Sequence, residues 1–233
     1  MGTVMPAVTS VSAAREERRA LAVNPFRQIL FGCGIVAASL YIAMTLAVGM
    51  LWDGYSAASH TISELSAIGA PTRALWILLG TVYSVLMIAF GWMVWRTAAP
   101  GGSQRVLGGL LMTHALFGWI WPPMHQREVL AAGGGTLTDT LHIAWVGVTG
   151  LFFMVETGLG AAMLGTRFRL YSIATMMIGL ASGAVTGTYA AEIQANLPTP
   201  GAGAWERVGV IAYMFWIAVL AIALLREPWR RSS

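Results

Sequence analysis

Six stretches of this chain are too apolar and too long to sit comfortably in a water-soluble domain. Residues 29–51 run for 23 residues without a charged side chain. About 20 apolar residues suffice to cross the hydrocarbon core of a bilayer. Comparable runs follow at residues 74–95, 106–121, 139–164, 170–190 and 208–225. In lipid every backbone polar group must be satisfied within the protein, so such segments cross as helices. The third run is the weakest, being short and closed by Pro122 and Pro123, where a helix stops. The expected fold is an all-α membrane protein, a bundle of six transmembrane helices over residues 29–225. Residues 1–28 and 226–233 are read as cytoplasmic tails. A secretory signal would carry an apolar core of only about 7–15 residues, shorter than the run that follows the first tail.

Composition agrees. Hydrophobic residues make up 57% of the chain and charged ones 10%, against about 25% charged in an ordinary soluble domain. All 14 basic residues are arginine. The missing lysine excludes a retinal or pyridoxal Schiff base, which needs a lysine amine. Cys33 stands alone, so there is neither an intrachain disulfide nor a cysteine metal cluster. The net charge of +4 does not point to nucleic acid, because the arginines sit at the ends of apolar runs. The tails and even-numbered loops hold 11 of them, and the odd-numbered loops hold Arg73, Arg127 and Arg207. Asp53, Glu64, Glu128, Asp139, Glu192 and Glu206 fall on the opposite side from most arginines. The positive-inside rule then puts both termini in the cytoplasm.

The densest chemistry lies between the first two runs, in YSAASHTISELSAIGAPTR over residues 55–73. Thr61 and Glu64 have the spacing of a capping box. Gly69 and Pro71 follow where a helix end would place them. The pattern predicts a short amphipathic helix at the outer interface, with Ile62, Leu65 and Ile68 on its apolar side. His60 precedes it and can face Glu64. His60, Ser63 and Arg207 are candidate ligand-binding residues, and Glu64 and Arg207 are candidates for a catalytic base and an oxyanion or phosphate binder. Arg207 beside Glu64 could equally be a structural ion pair, or an interfacial anchor together with Trp205.

Asp139 and His142 share one face of a helix start. With His125 they form a candidate two-histidine, one-carboxylate set for a divalent ion such as zinc. Alternatively, Asp139 caps the helix and His142 meets headgroups.

His114 and Glu156 fall inside apolar runs. By helical rise, His114 lies ~14 Å above Arg105 and Glu156 ~14–17 Å above the turn at residues 165–167. Antiparallel neighbours would hold them level, as a buried polar pair serving as a structural clasp or a proton relay. His114 and His142 differ in depth by ~7 Å, too far to share one haem. Gly179, Gly183 and Gly187 make two overlapping GxxxG motifs, which would pack a neighbouring span or a second copy of the chain.

HTISELSAIGAP, the TLH that opens the fourth run, and WERVGV with Trp216 resemble the bacterial membrane family known as domain of unknown function 998, related at a distance to DRAM and Sfk-type membrane proteins. The resemblance covers most of residues 29–225. It implies a six-helix bundle in the bacterial inner membrane and places Ser63, Glu64, Pro123, His142 and Arg207 at family-like positions. MHQRE departs from the pattern. No reaction comes with the family. The expected function is binding of a lipid headgroup or small amphiphile in an outward-facing polar pocket. The alternatives are a metal-dependent intramembrane lipid hydrolase, a proton-coupled carrier or sensor, and a structural subunit of a membrane complex.

Overall fold

The computed structural model describes residues 25–226. The expected tails lie outside the described residues, apart from residues 25–28 and Arg226. The described residues form eight α-helices and no strand. They are α1 (Pro25–Ala47), α2 (Arg73–Arg96), α3 (Ser103–Phe117), α4 (Arg127–Ala131), α5 (Leu137–Met163), α6 (Thr166–Gly187), α7 (Ala190–Gln194) and α8 (Ala202–Arg226).

Each long helix packs on its predecessor, and α8 returns to α1. The sequence order α1, α2, α3, α5, α6, α8 therefore closes into a ring. Helices α5 and α8 also touch across its middle. The loops at residues 48–72, 118–136 and 188–201 gather at one end, and the short α4 and α7 pack together there.

Five of the ring helices are long and apolar enough to cross a membrane; α3 is not among them. It spans 15 residues and continues as a 3-10 turn over Gly118–Ile120. At 1.5 Å per residue the α-helical part rises only about 22 Å, less than the ~30 Å hydrocarbon core. The cause is local. Trp121 precedes a proline and is extended, with ψ 129°, because proline's ring disfavours the α conformation before it. The run expected at residues 106–121 thus begins three residues earlier, at Ser103, and leaves the α-helix at Phe117.

The ring's interior holds Phe31, Phe90, Leu107, Leu111, Trp216, Ile217 and Leu220, all essentially inaccessible. Lipid is as apolar as these side chains, so association relies on close packing and not on escape from water. Gly91 and Gly108 show how close. A methyl group built at Gly91 would stand 3.0 Å from the Gly108 carbonyl oxygen, and one at Gly108 would overlap the Trp95 backbone. In the GxxxG stripe, a methyl at Gly179 would strike Phe153 of the same chain, whereas Gly183 and Gly187 have open space beside them.

Candidate functional site

Two polar assemblies interrupt the apolar ring: a cap at the loop-rich end and a cluster in the interior.

The cap is built on residues 55–66. The segment expected as an amphipathic interfacial helix is instead one 3-10 turn, Ser63–Ser66, folded into the protein. Leu65 is fully buried against Met44 and Val48, and Ile62 is also buried. Anchoring Leu65 inside the ring and turning the chain at Gly69 (φ 89°) leave no length for a helix on the surface. Thr61 donates its N–H (2.6 Å) and its hydroxyl (2.9 Å) to Glu64 Oε2. Ser63 opens the 3-10 turn and is half-buried.

Glu64 is not paired with Arg207; its partner is Arg127. Arg127 donates from Nε to Oε1 at 2.5 Å and from Nη2 to Oε2 at 2.8 Å. Its other donor reaches Thr199 Oγ1 at 2.9 Å, and Thr199 in turn donates to the Ser59 carbonyl at 2.7 Å. One guanidinium therefore fastens three loops. Arg127 is 6% exposed and Glu64 3%.

Arg207 is spent on the backbone. It donates to the carbonyls of Thr45 (3.2 Å), Ala57 (2.7 Å), His60 (3.0 Å) and Gly203 (3.0 Å), and to the Tyr55 hydroxyl (2.5 Å). Neighbouring Glu206 accepts the Ile62 N–H at 2.5 Å. A side chain at Gly203 would collide with the Ala57 and His60 carbonyls, so α8 meets this loop backbone to backbone. Tyr55 stacks between Trp52 and His60, with ring centroids 5.5 and 5.2 Å away. Burial pushes its phenol up to about 12, against the opposing pull of the Arg207 charge. The Ser56 N–H donates to His60 Nδ1 at 3.0 Å, which in the neutral ring leaves the proton on Nε2. Ser59, His60, Arg127 and residues 196–200 line a shallow cleft of about 330 Å³.

Of the candidate metal ligands, His125 and Asp139 meet directly. The His125 N–H donates to Asp139 Oδ1 at 2.7 Å, and its Nδ1 lies 2.9 Å from Oδ2. Asp139 also completes a capping box with Thr136. His142 turns its Nδ1 to the Pro122 carbonyl at 2.8 Å. The Nε2 atoms of both histidines are the ones left for a metal or a proton. Among the described residues no three His, Cys, Asp or Glu side chains are arranged to hold a metal ion.

In the interior, His114 of α3 places Nδ1 3.2 and 3.3 Å from the two carboxyl oxygens of Glu156 on α5. Tyr213 of α8 donates its hydroxyl to Glu156 Oε2. Glu156 is fully buried. Sequence spacing alone marks neither Tyr213 nor Arg127 as a partner. A tyrosine in an apolar run carries no charge to mark it. Arg127 was legible only as one of three arginines on the acidic side.

This combination, long apolar helices in a closed ring with a polar cap at one end and a buried carboxyl cluster inside, defines a helical integral membrane protein. Residues 35–223 match the family described as "Protein of unknown function (DUF998)", and the chain belongs to that family. No curated protein and no solved structure matched it.

Proposed function

We propose that the protein is a six-span receptor of the inner membrane that binds the polar headgroup of a lipid or small amphiphile at its outer cap. In this reading α3, extended by its 3-10 turn, completes the sixth crossing, and both termini are cytoplasmic, which the arginine distribution supports. The observation that carries it is the cleft beside His60. A donor, His60 Nε2–H, is held by the Ser56 bond and the Tyr55 stack. Ser59 and Asn196 flank it, and the Arg127 and Thr199 network is its rigid wall. A shallow polar site on an apolar ring suits a ligand whose tail stays in the bilayer while its head is gripped. Glu64 and Arg207 then hold the wall in place and do not touch the ligand. The volume falls at the lower end of the ~300–1,000 Å³ usual for ligand sites.

The test is titration of the detergent-purified protein with short-chain phosphatidylglycerol and phosphatidylcholine, followed by tryptophan fluorescence, since Trp52 stacks on Tyr55 beside the site. A saturable change that is lost in His60→Ala is expected. A linear response that His60→Ala leaves untouched rejects the reading.

A further inference from the structure

The outer cap leaves the interior cluster without a role, and its chemistry is specific. Glu156 is fully buried, and among the described residues no arginine bonds to it. Its neighbours are His114 on α3, Tyr213 on α8 and, within electrostatic reach, Tyr83 on α2. Helix α6 adds no titratable group here: its Tyr171 meets Phe168 and lies in the outward groove beside Phe215. The carboxyl group therefore shares its surroundings with one imidazole and two phenols.

Such a set has a preferred proton count. With His114 doubly protonated beside a carboxylate, or singly protonated beside a carboxylic acid, the cluster is neutral. With one proton fewer it keeps a net negative charge in an apolar interior, a costly state even with Tyr213 donating. Phe152 stacks on the His114 ring at 4.8 Å and holds it in place.

Two further tyrosines lie beyond it. Tyr83 packs on Tyr41 of α1 with centroids 4.7 Å apart. Tyr41 in turn lies within electrostatic reach of Glu206 and Arg207, at the base of the cap. Tyr83 and Tyr41 thus lie between Glu156 and the base of the cap.

We propose that Glu156, His114 and Tyr213 form an intramembrane proton-binding site, and that the Tyr83 and Tyr41 hydroxyls connect it to the outer cap. Uptake of one proton from the outer water takes the cluster from a net charge of −1 to zero, forming one N–H or O–H bond and breaking none within the protein. The proposal is independent of headgroup binding: loss of ligand response in His60→Ala leaves the cluster intact.

Infrared difference spectroscopy of the full chain in liposomes, between mildly acidic and mildly alkaline buffer, tests it. The wild type should show a carboxyl or carboxylate band that titrates, and Glu156→Gln should lose it. His114→Gln, which keeps a hydrogen-bonding amide beside the carboxyl, should move the midpoint by about one pH unit or more. After a pH jump, Tyr83→Phe should slow the band's change without moving its midpoint. A wild-type spectrum that does not respond to pH, or a pH response that is unchanged in folded Glu156→Gln, overturns the site. Should Glu156→Gln fail to fold, an unchanged midpoint in His114→Gln overturns it instead. An unchanged rate in Tyr83→Phe overturns the connection.

Discussion

Arg127 and Glu64, separated by 63 positions, face each other through two parallel bonds of 2.5 and 2.8 Å inside the cap. The planar guanidinium fork fits the carboxylate in a way no lysine ammonium can. Because both ends are buried, removing one partner strands the other, a loss of about 3–5 kcal/mol. Arg127→Ala and Glu64→Ala should each lower the thermal midpoint of the detergent-solubilised protein. The double replacement Glu64→Leu with Arg127→Leu should recover much of the loss, since well-packed apolar pairs often match a buried ion pair. A double mutant that is as unstable as both single losses combined would show that the two side chains act separately.

What was legible in the sequence follows from what a bilayer demands. Long apolar runs can only be helices there, so the ring helices are found close to their expected positions, with ends displaced by a few residues. The partner of a given polar side chain is set by loop packing and leaves little trace in spacing. Glu64 illustrates this: its bonds from Thr61 are local and follow the TISE spacing, although Ile62 and not Thr61 is the N-cap, while Arg127 reaches it only because three loops fold together. The three arginines that break the charge asymmetry were the available clue. Arg127 and Arg207 are held by the cap, and Arg73 donates to the Ser66 carbonyl while lying 5.2 Å over the Trp121 ring. All three serve as internal donors at the end where arginines are scarce. Leu65 misled for a related reason: an apolar residue in a polar segment looks the same whether it faces lipid or is buried in the protein.

Arg207 makes a sharper prediction than its charge suggests. Its bonds diverge to four carbonyls and a phenol, which requires several donors in a fixed plane. Arg207→Lys should therefore behave much like Arg207→Met. Each should destabilise the protein by about 1–3 kcal/mol for the buried acceptors left unsatisfied, read by thermal unfolding, and each should increase proteolysis within residues 55–66. A lysine variant as stable as the wild type would mean that charge alone suffices.

The close approach of α2 and α3 predicts a steric effect far from either polar assembly. Gly108→Ala forces a methyl group into the Trp95 backbone, which cannot yield as a flexible side chain would. Overpacking of this kind costs about 1–3 kcal/mol. Gly109→Ala, one residue on with open space beside it, is the matched control and should be neutral. Equal thermal midpoints for the two variants would contradict the packing of the short third helix.

Tyr55 links stability to alkaline pH. Its phenol is raised from 10.0 to about 12 in the folded protein, chiefly by burial. A group that holds its proton more tightly when folded contributes fully below its unfolded value and loses that contribution as pH rises through the folded one. Folding stability should therefore not vary with pH through Tyr55 near neutrality, and should decline as the pH climbs from about 10 toward 12. Ionisation would place a phenolate beside the His60 and Thr61 carbonyls, the second of which accepts its hydroxyl at 2.8 Å. Arg207 opposes the effect without cancelling it. Tyr55→Phe removes the titrating group, so it should be less stable at neutral pH through the lost bonds yet show a flatter decline in that alkaline window. Unfolding midpoints measured across the window for both proteins decide it: parallel curves would place the alkaline loss elsewhere in the chain.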